Sequence, residues 1–222
     1  MSISNSSVNN QDCSGQQILN DSISHIQARD SDLSAWRLSE SSIVSLRMDT
    51  CSFNNTWADT CRWKLLRLDH SLARQGTFSN CVFDEFLVVN SFLTAGRFSG
   101  CRLTGTVSEL SAFALSSFEN TCLVRSRMSE VSFIATIWKN CEFRDEDYFF
   151  VRFPSSLFIN TSFIDCNLRK VIFRWAFFIN CRFQACQLPE AVFHNAHFVD
   201  TDFPKTDIHQ AANLEGVRGL DL

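Results

Sequence analysis

Ten cysteines, five histidines and the acidic run Asp145-Glu146-Asp147 are the side chains in this sequence with the means for chemistry. Cysteines bind zinc when ligands converge from several directions, and a thiolate beside a histidine is a nucleophile. Here the spacing opposes both. Cys51, Cys61, Cys81, Cys101, Cys141, Cys166, Cys181 and Cys186 all lie multiples of five residues apart, which sets them along lines rather than around a point. Cys61, Cys81 and Cys101 are close enough in such a stack to bridge, yet a disulfide needs a particular torsion as well as distance. Cys122 is out of this register and faces outward, where a thiol can react, but no histidine lies near it in the sequence. His194 and His197 flank one turn with Asp202 nearby, and His209 follows. That grouping suits a surface metal contact, with solvated histidines the simpler reading. Paired acids do proton transfer, but only beside a pocket that holds substrate. No GxGxxG, P-loop, nucleophile elbow or HExxH occurs. We therefore assign no catalytic, cofactor-binding or metal-binding residue, and expect no enzyme and no cofactor.

The fivefold spacing extends far beyond cysteine. Every fifth residue from Ile18 to Ile208 gives 39 positions, of which 38 are hydrophobic and 17 are phenylalanine; the exception is Ser108. Neither a helix nor a plain strand keeps a strict period of five. Two residues before most of these lies a small or thiol-bearing residue, as at Cys61, Gly96, Ser116, Thr136, Cys141, Ala176 and Ala196. A large and a small side chain two residues apart point to the same side of a short strand, and the other three residues form the corner and the outer surface. A longer period is superimposed. Phe78-Ser79-Asn80-Cys81, Phe98-Ser99-Gly100-Cys101, Trp138-Lys139-Asn140-Cys141 and Phe178-Ile179-Asn180-Cys181 repeat in steps of twenty, so equivalent corners stack, with Asn or Gly supplying the turn. Inward volume is roughly kept: large Leu46, Leu66 and Phe86 precede Met48, Leu68 and Val88, where no phenylalanine stands. Ser108 predicts a loose coil. Glu146 falls on an inward small site, where a bare carboxylate is costly, so that coil is expected to bulge outward or to pair Glu146 with a nearby arginine.

Cys166-Asn167-Leu168-Arg169-Lys170, Thr201-Asp202-Phe203-Pro204-Lys205 and Ala212-Asn213-Leu214-Glu215-Gly216 follow the order small, Asp/Asn, Leu/Phe, polar, variable. In this the chain resembles the pentapeptide-repeat proteins over roughly residues 18–216. The resemblance implies an all-β fold: a right-handed quadrilateral parallel β-helix, a solenoid of about ten coils of four pentapeptides. Residues 1–17 are expected to be a frayed or irregular N-terminal cap and 217–222 a short tail. The register slips by one near the end, where Leu214 follows Ile208. Some members of that family are DNA-mimicking rods that protect DNA gyrase, so the resemblance implies a type II topoisomerase, gyrase or topoisomerase IV, as one possible protein partner. The acidic excess here is small, 24 Asp and Glu against 20 Lys and Arg.

A net charge of −4 is neither a basic nucleic-acid surface nor a strongly acidic tail, and no direct nucleic-acid binding is expected. No apolar run reaches the roughly 18 residues that span a bilayer. The N-terminus lacks the basic and apolar segments of a secretory signal. A cytoplasmic, reducing setting is expected, with a secreted bacterial effector as the alternative suggested by the Ser/Asn-rich start. One surface feature is specific. Beside the core positions Phe118, Trp138, Phe158, Phe178 and Phe198, the outward neighbours turn from polar to apolar: Ile137, Leu157 and Phe177 on one side, Ile159, Ile179 and Val199 on the other. With Trp175 at the preceding corner they form a candidate interface for a protein partner, most simply a homodimer.

Overall fold

A repeat with two inward residues in five must turn at every fifth residue. From Asn10 to Lys205 every fifth residue has a positive φ, between 47° and 71°. Glycine enters that left-handed region freely and asparagine often; other residues do so at a cost of about 1 kcal/mol or more. Leu65, Leu110, Leu115, Phe150 and Trp175 occupy it nonetheless. Hydrogen bonds between coils hold them there. Corner amides donate one coil onward, Asn20 N–H to Ser39 O and Trp175 N–H to His194 O, each at 3.0 Å.

The product is a parallel β-solenoid of about ten turns, the fold expected from the sequence. The structure, a computed structural model, describes residues 3–4 and 6–220. Each coil has four faces. The inward column of face I runs from Ile18 to Phe198, of face II from Ile23 to Phe203, of face III from Val8 to Leu188 and of face IV from Cys13 to Phe193. Coils are numbered from the residue that opens face I, so coil 1 is residues 16–35, coil 7 is residues 136–155 and coil 10 starts at residue 196. Face I is a 10-stranded sheet from Gln17–Leu19 to His197–Val199, and faces II and III together make a 17-stranded sheet. Ser22–Arg29 and Ser42–Asp49 run unbroken across the corner between II and III. Face IV is joined by single bridges such as Phe92 with Ala112. Pairings link residues twenty apart, Phe158 with Phe178 and Phe163 with Phe183.

The interior is filled. On face I the rings stack along the axis, 3.8 Å apart for Phe118 and Trp138, 4.8 Å for Phe158 and Phe178, and 4.9 Å for Phe178 and Phe198. Adjacent faces meet edge-on, as Phe153 does Phe158 at 5.5 Å. Phe118, Trp138, Phe158, Phe178 and Phe198 are all buried. The small inward residues bond the backbone: Ser71 Oγ donates to Asp69 O at 2.8 Å and accepts from Cys51 N–H at 3.1 Å. Thiols take the same role, Cys81 Sγ lying 3.2 Å from Ser79 O. Small polar groups are tolerated in this core because most have a main-chain partner within reach.

Glu146 departs from expectation. Its coil neither bulges nor brings an arginine to it. The side chain points inward and is buried, and Oε1 accepts from Ser126 N–H at 3.2 Å while Oε2 has no partner. The small residues above and below it in the column, Ser126 and Cys166, leave room for the longer chain. Ser108, also buried, has an unpartnered hydroxyl, as have Thr106 and Ser126 nearby. At the N-terminal end, where a frayed or irregular cap was expected over 1–17, Ser7–Asn9 pairs with Gln27–Arg29 and Asn10 N–H bonds Arg29 O at 3.1 Å. The backbone from residue 7 onward is that of a coil, and the irregularity is in the interior, where Val8 and Cys13 are only half-buried. At the other end the extra residue is absorbed by a 3₁₀ turn, Ile208–Gln210, after which Val192 pairs with Asn213 and His197 with Arg218.

Candidate interaction face

Face I positions the candidate interface. Ile137–Lys139, Leu157–Ile159, Phe177–Ile179 and His197–Val199 are its last four strands. Their central residues fill the core, so both flanks point out. Register aligns Ile137, Leu157, Phe177 and His197 in one outer column and Lys139, Ile159, Ile179 and Val199 in the other. Ile137 is 47%, Phe177 46% and Val199 50% exposed. Leu157 and Ile159 are half-buried, flanked by the strands on either side. In coils 4 to 6 the same columns read Thr77, Arg97, Ser117 and Ser79, Ser99, Glu119. The patch has polar margins. Lys139 Nζ pairs with Glu119 Oε1 at 3.0 Å at one end, and Asp200 is exposed at the corner of the other. Along the corner beside the second column, Asn120, Asn140, Asn160 and Asn180 form a ladder of side-chain hydrogen bonds of 2.8 to 3.0 Å. Trp175, 53% exposed at its corner, meets His194 edge-on at 6.1 Å, and the Phe177 ring lies 4.9 Å from His197.

Two further apolar groups were not singled out from the sequence. Leu115, at the corner that ends coil 5, and Ile134, on the face IV side of coil 6, stand exposed. Phe149 and Phe150 stand exposed on the corner after face III, their rings 4.6 Å apart, with Lys170 Nζ 5.0 Å from the Phe150 ring. The available signal was a large hydrophobe outside the inward register.

Comparison with known proteins bears on this geometry. A family model for the SV2A/B/C luminal domain matches residues 153–217. No curated protein matches the chain in sequence. Among solved structures, a trypsin-treated variant of QnrB1, a plasmid-mediated fluoroquinolone resistance protein, is similar with a TM-score of 0.53 at 13% identity, covering 100% of this chain and 92% of that one. HetL, a pentapeptide-repeat protein of heterocyst differentiation regulation from the cyanobacterium Nostoc, gives a TM-score of 0.48 at 9% identity, covering 97% of this chain and 90% of its own. The fold is that of the pentapeptide-repeat proteins.

Within this pentapeptide-repeat solenoid the chemical candidates do not converge. All ten cysteines are unpaired. Burial pushes the thiols of Cys141 and Cys181 up to about 11, and hydrogen bonding to Cys101 is the main cause that pushes Cys81 up to about 12. Such thiols stay protonated near neutrality and are poor nucleophiles. Cys122 is half-buried and its thiol is raised by burial and then by Glu142, whose Oε1 is 3.9 Å away. Asp202, expected near the histidines, pairs instead with Arg182 at 3.0 Å, while His194 faces Glu215 at 3.5 Å. Among the described residues no group of three metal-ligating side chains forms, and no helix is long and apolar enough to cross a membrane. Of the acidic run, Asp145 turns the corner, Asp147 points outward to accept from Asn167 Nδ2 at 2.9 Å, and only Glu146 is inside.

Proposed function

We propose that this chain is a non-catalytic, protein-binding rod whose contact surface is the apolar end of face I: Ile137, Leu157, Ile159, Trp175, Phe177, Ile179 and Val199. The observation that supports it is the switch from polar to apolar in two aligned outer columns, at coil 7 in the first column and at coil 8 in the second. Scattered surface hydrophobes are ordinary. Side chains stacked about 4.8 Å apart on successive strands make one continuous patch, the usual mark of an interaction site. A stacked aromatic core lies directly beneath, so the face is held flat and loses little freedom on binding. The unpaired cysteines suit a reducing cytoplasmic setting.

Adjacent residues separate binding from folding. Phe178→Ala empties the core column and is expected to cost about 3–5 kcal/mol in an unfolding titration. Phe177→Asp changes only the surface and is expected to shift stability by less than about 1 kcal/mol. Immobilised wild-type protein, exposed to an extract of its source cells, should retain partners that Phe177→Asp does not. Phe92→Asp, a control on face IV, should retain them. Equal retention by all three would sink the proposal. A second reading, a DNA-mimicking action on gyrase or topoisomerase IV, is supported by the likeness of fold to QnrB1 over the whole chain.

A further inference from the structure

The apolar end of face I has a charge pattern that discriminates between occupants. Among the eight flank positions of coils 7 to 10, Lys139 is the one lysine or arginine. It stands in the first row. Asp200 stands at the corner of the last row, exposed, and has no ion pair among the described residues. Among the described residues no other segment of the chain covers the patch. After the 3₁₀ turn it continues the solenoid, Arg218 pairing with His197, and Phe177 and Val199 remain exposed.

Consider a two-fold axis in the plane of the face and perpendicular to the rod, centred between coils 8 and 9. Each outer column then meets itself in reverse order. Leu157 faces the second copy's Phe177, and Ile159 faces the second copy's Ile179. Lys139 faces the second copy's Val199 and so lies beside the corner at the second copy's Asp200. Symmetry makes this pairing twice. Four rows are covered, and coils 1 to 6, whose flanks next to the patch are polar from coil 4 to coil 6, extend away on both sides. A two-fold axis along the rod instead places Lys139 over the second copy's Ile137, with no acid of that copy beside it. Resting on the reading of face I as a binding surface, we propose that its occupant is a second copy of this chain, docked antiparallel through coils 7 to 10, with Lys139 of each copy against Asp200 of the other.

Sedimentation equilibrium of the purified full chain tests this, with circular dichroism confirming the fold of each variant. Wild type is expected to dimerise reversibly and Phe177→Asp to be monomeric. Lys139→Glu and Asp200→Lys, each alone, are expected to weaken association about 10-fold, and together to restore it to within about 3-fold of wild type. Lysine is tolerated at such corners, since Lys170 and Lys205 already hold the same backbone conformation. Solution scattering gives the direction. Ten coils at about 4.8 Å that overlap by four make an antiparallel dimer about 1.6 times the monomer's length, whereas a parallel one has the monomer's length. A dimer of monomer length, or one indifferent to both charge reversals, overturns the antiparallel arrangement. A wild type that stays monomeric while Phe177→Asp still loses its cellular partners removes the second copy and leaves the binding face. A dimer that survives Phe177→Asp removes both.

Discussion

Glu146 lies inside because its main chain belongs to the ladder: Asp147 N–H bonds Ser126 O at 2.9 Å, and Asn167 N–H bonds Glu146 O at 2.8 Å. A bulge would sacrifice those bonds. Burial pushes the carboxyl up to about 7 from an ordinary 4.5, against the opposing pull of the Tyr148 hydroxyl and of Ser126; neighbouring Asp145 raises it further. Tyr148 is itself raised by burial and stays neutral across this range. An acid raised in the folded state loses its proton first in the unfolded chain. Its contribution to stability is therefore full below pH 4.5, falls as pH rises to 7, and is level above. Over that window the loss amounts to about 3 kcal/mol. Glu146→Gln keeps the acceptor for Ser126 N–H and removes the proton. Urea midpoints at pH 4.5 and 8 should show the variant gaining on wild type by about that amount at the higher pH. If the two proteins have the same pH dependence, Glu146 is not the buried titrating group described here.

Coils are locked along their corners, and the asparagine ladder is the clearest instance. It runs from Asn120 to Asn180 and is interrupted before Asn80 by Gly100. Gly100 already has the corner conformation at φ 62°, and a Cβ there would meet only the end of the Asn80 side chain, at 2.7 Å from Oδ1. Rotation of that terminal amide relieves the contact. Gly100→Asn should join the ladder to Asn80 and restrict the unfolded chain, raising stability by about 1 kcal/mol in a urea titration. A lowered midpoint would show that the corner has no room for the side chain. The coil was legible in the sequence because its period is a steric demand: each fifth residue must fill the core whatever its neighbours are. Val8 and Cys13 carried the same phase, yet polar neighbours obscured the coil around them, since coil-to-coil hydrogen bonds involve no side chain. The fate of Glu146 was not legible, because a bulge and a buried acid have the same sequence and differ only in the room left by Ser126 and Cys166. Leu115 and Ile134 escaped notice because they adjoin face I only once the corner at residue 115 is placed.

At the scale of the whole rod, the two functional readings differ in how charge is arranged. A DNA mimic needs acidic groups unpaired and continuous along its length, so that its field resembles that of a phosphate backbone. Here several acids are paired across coils with bases twenty residues away, Arg29 with Asp49 at 3.1 Å, Glu119 with Lys139 at 3.0 Å and Asp202 with Arg182 at 3.0 Å. Such exposed pairs add little stability, but they cancel the field at a distance. The charged positions also change sign along single columns, as at Arg102, Glu142, Arg182 and Asp202 on face II. The apolar end of face I, in contrast, is uninterrupted over coils 8 and 9. The first reading therefore expects no effect of a large molar excess of the rod on supercoiling by purified gyrase or topoisomerase IV, with or without a fluoroquinolone. The second expects inhibition or protection that weakens as salt is raised, because competition with DNA is electrostatic. Phe177→Asp refines the comparison. It adds a negative charge to the rod, so an activity that arises from mimicry should persist or strengthen in the variant, while one that arises from the apolar face should disappear. Salt-sensitive inhibition retained by Phe177→Asp would establish the DNA-mimic reading and overturn the one preferred here.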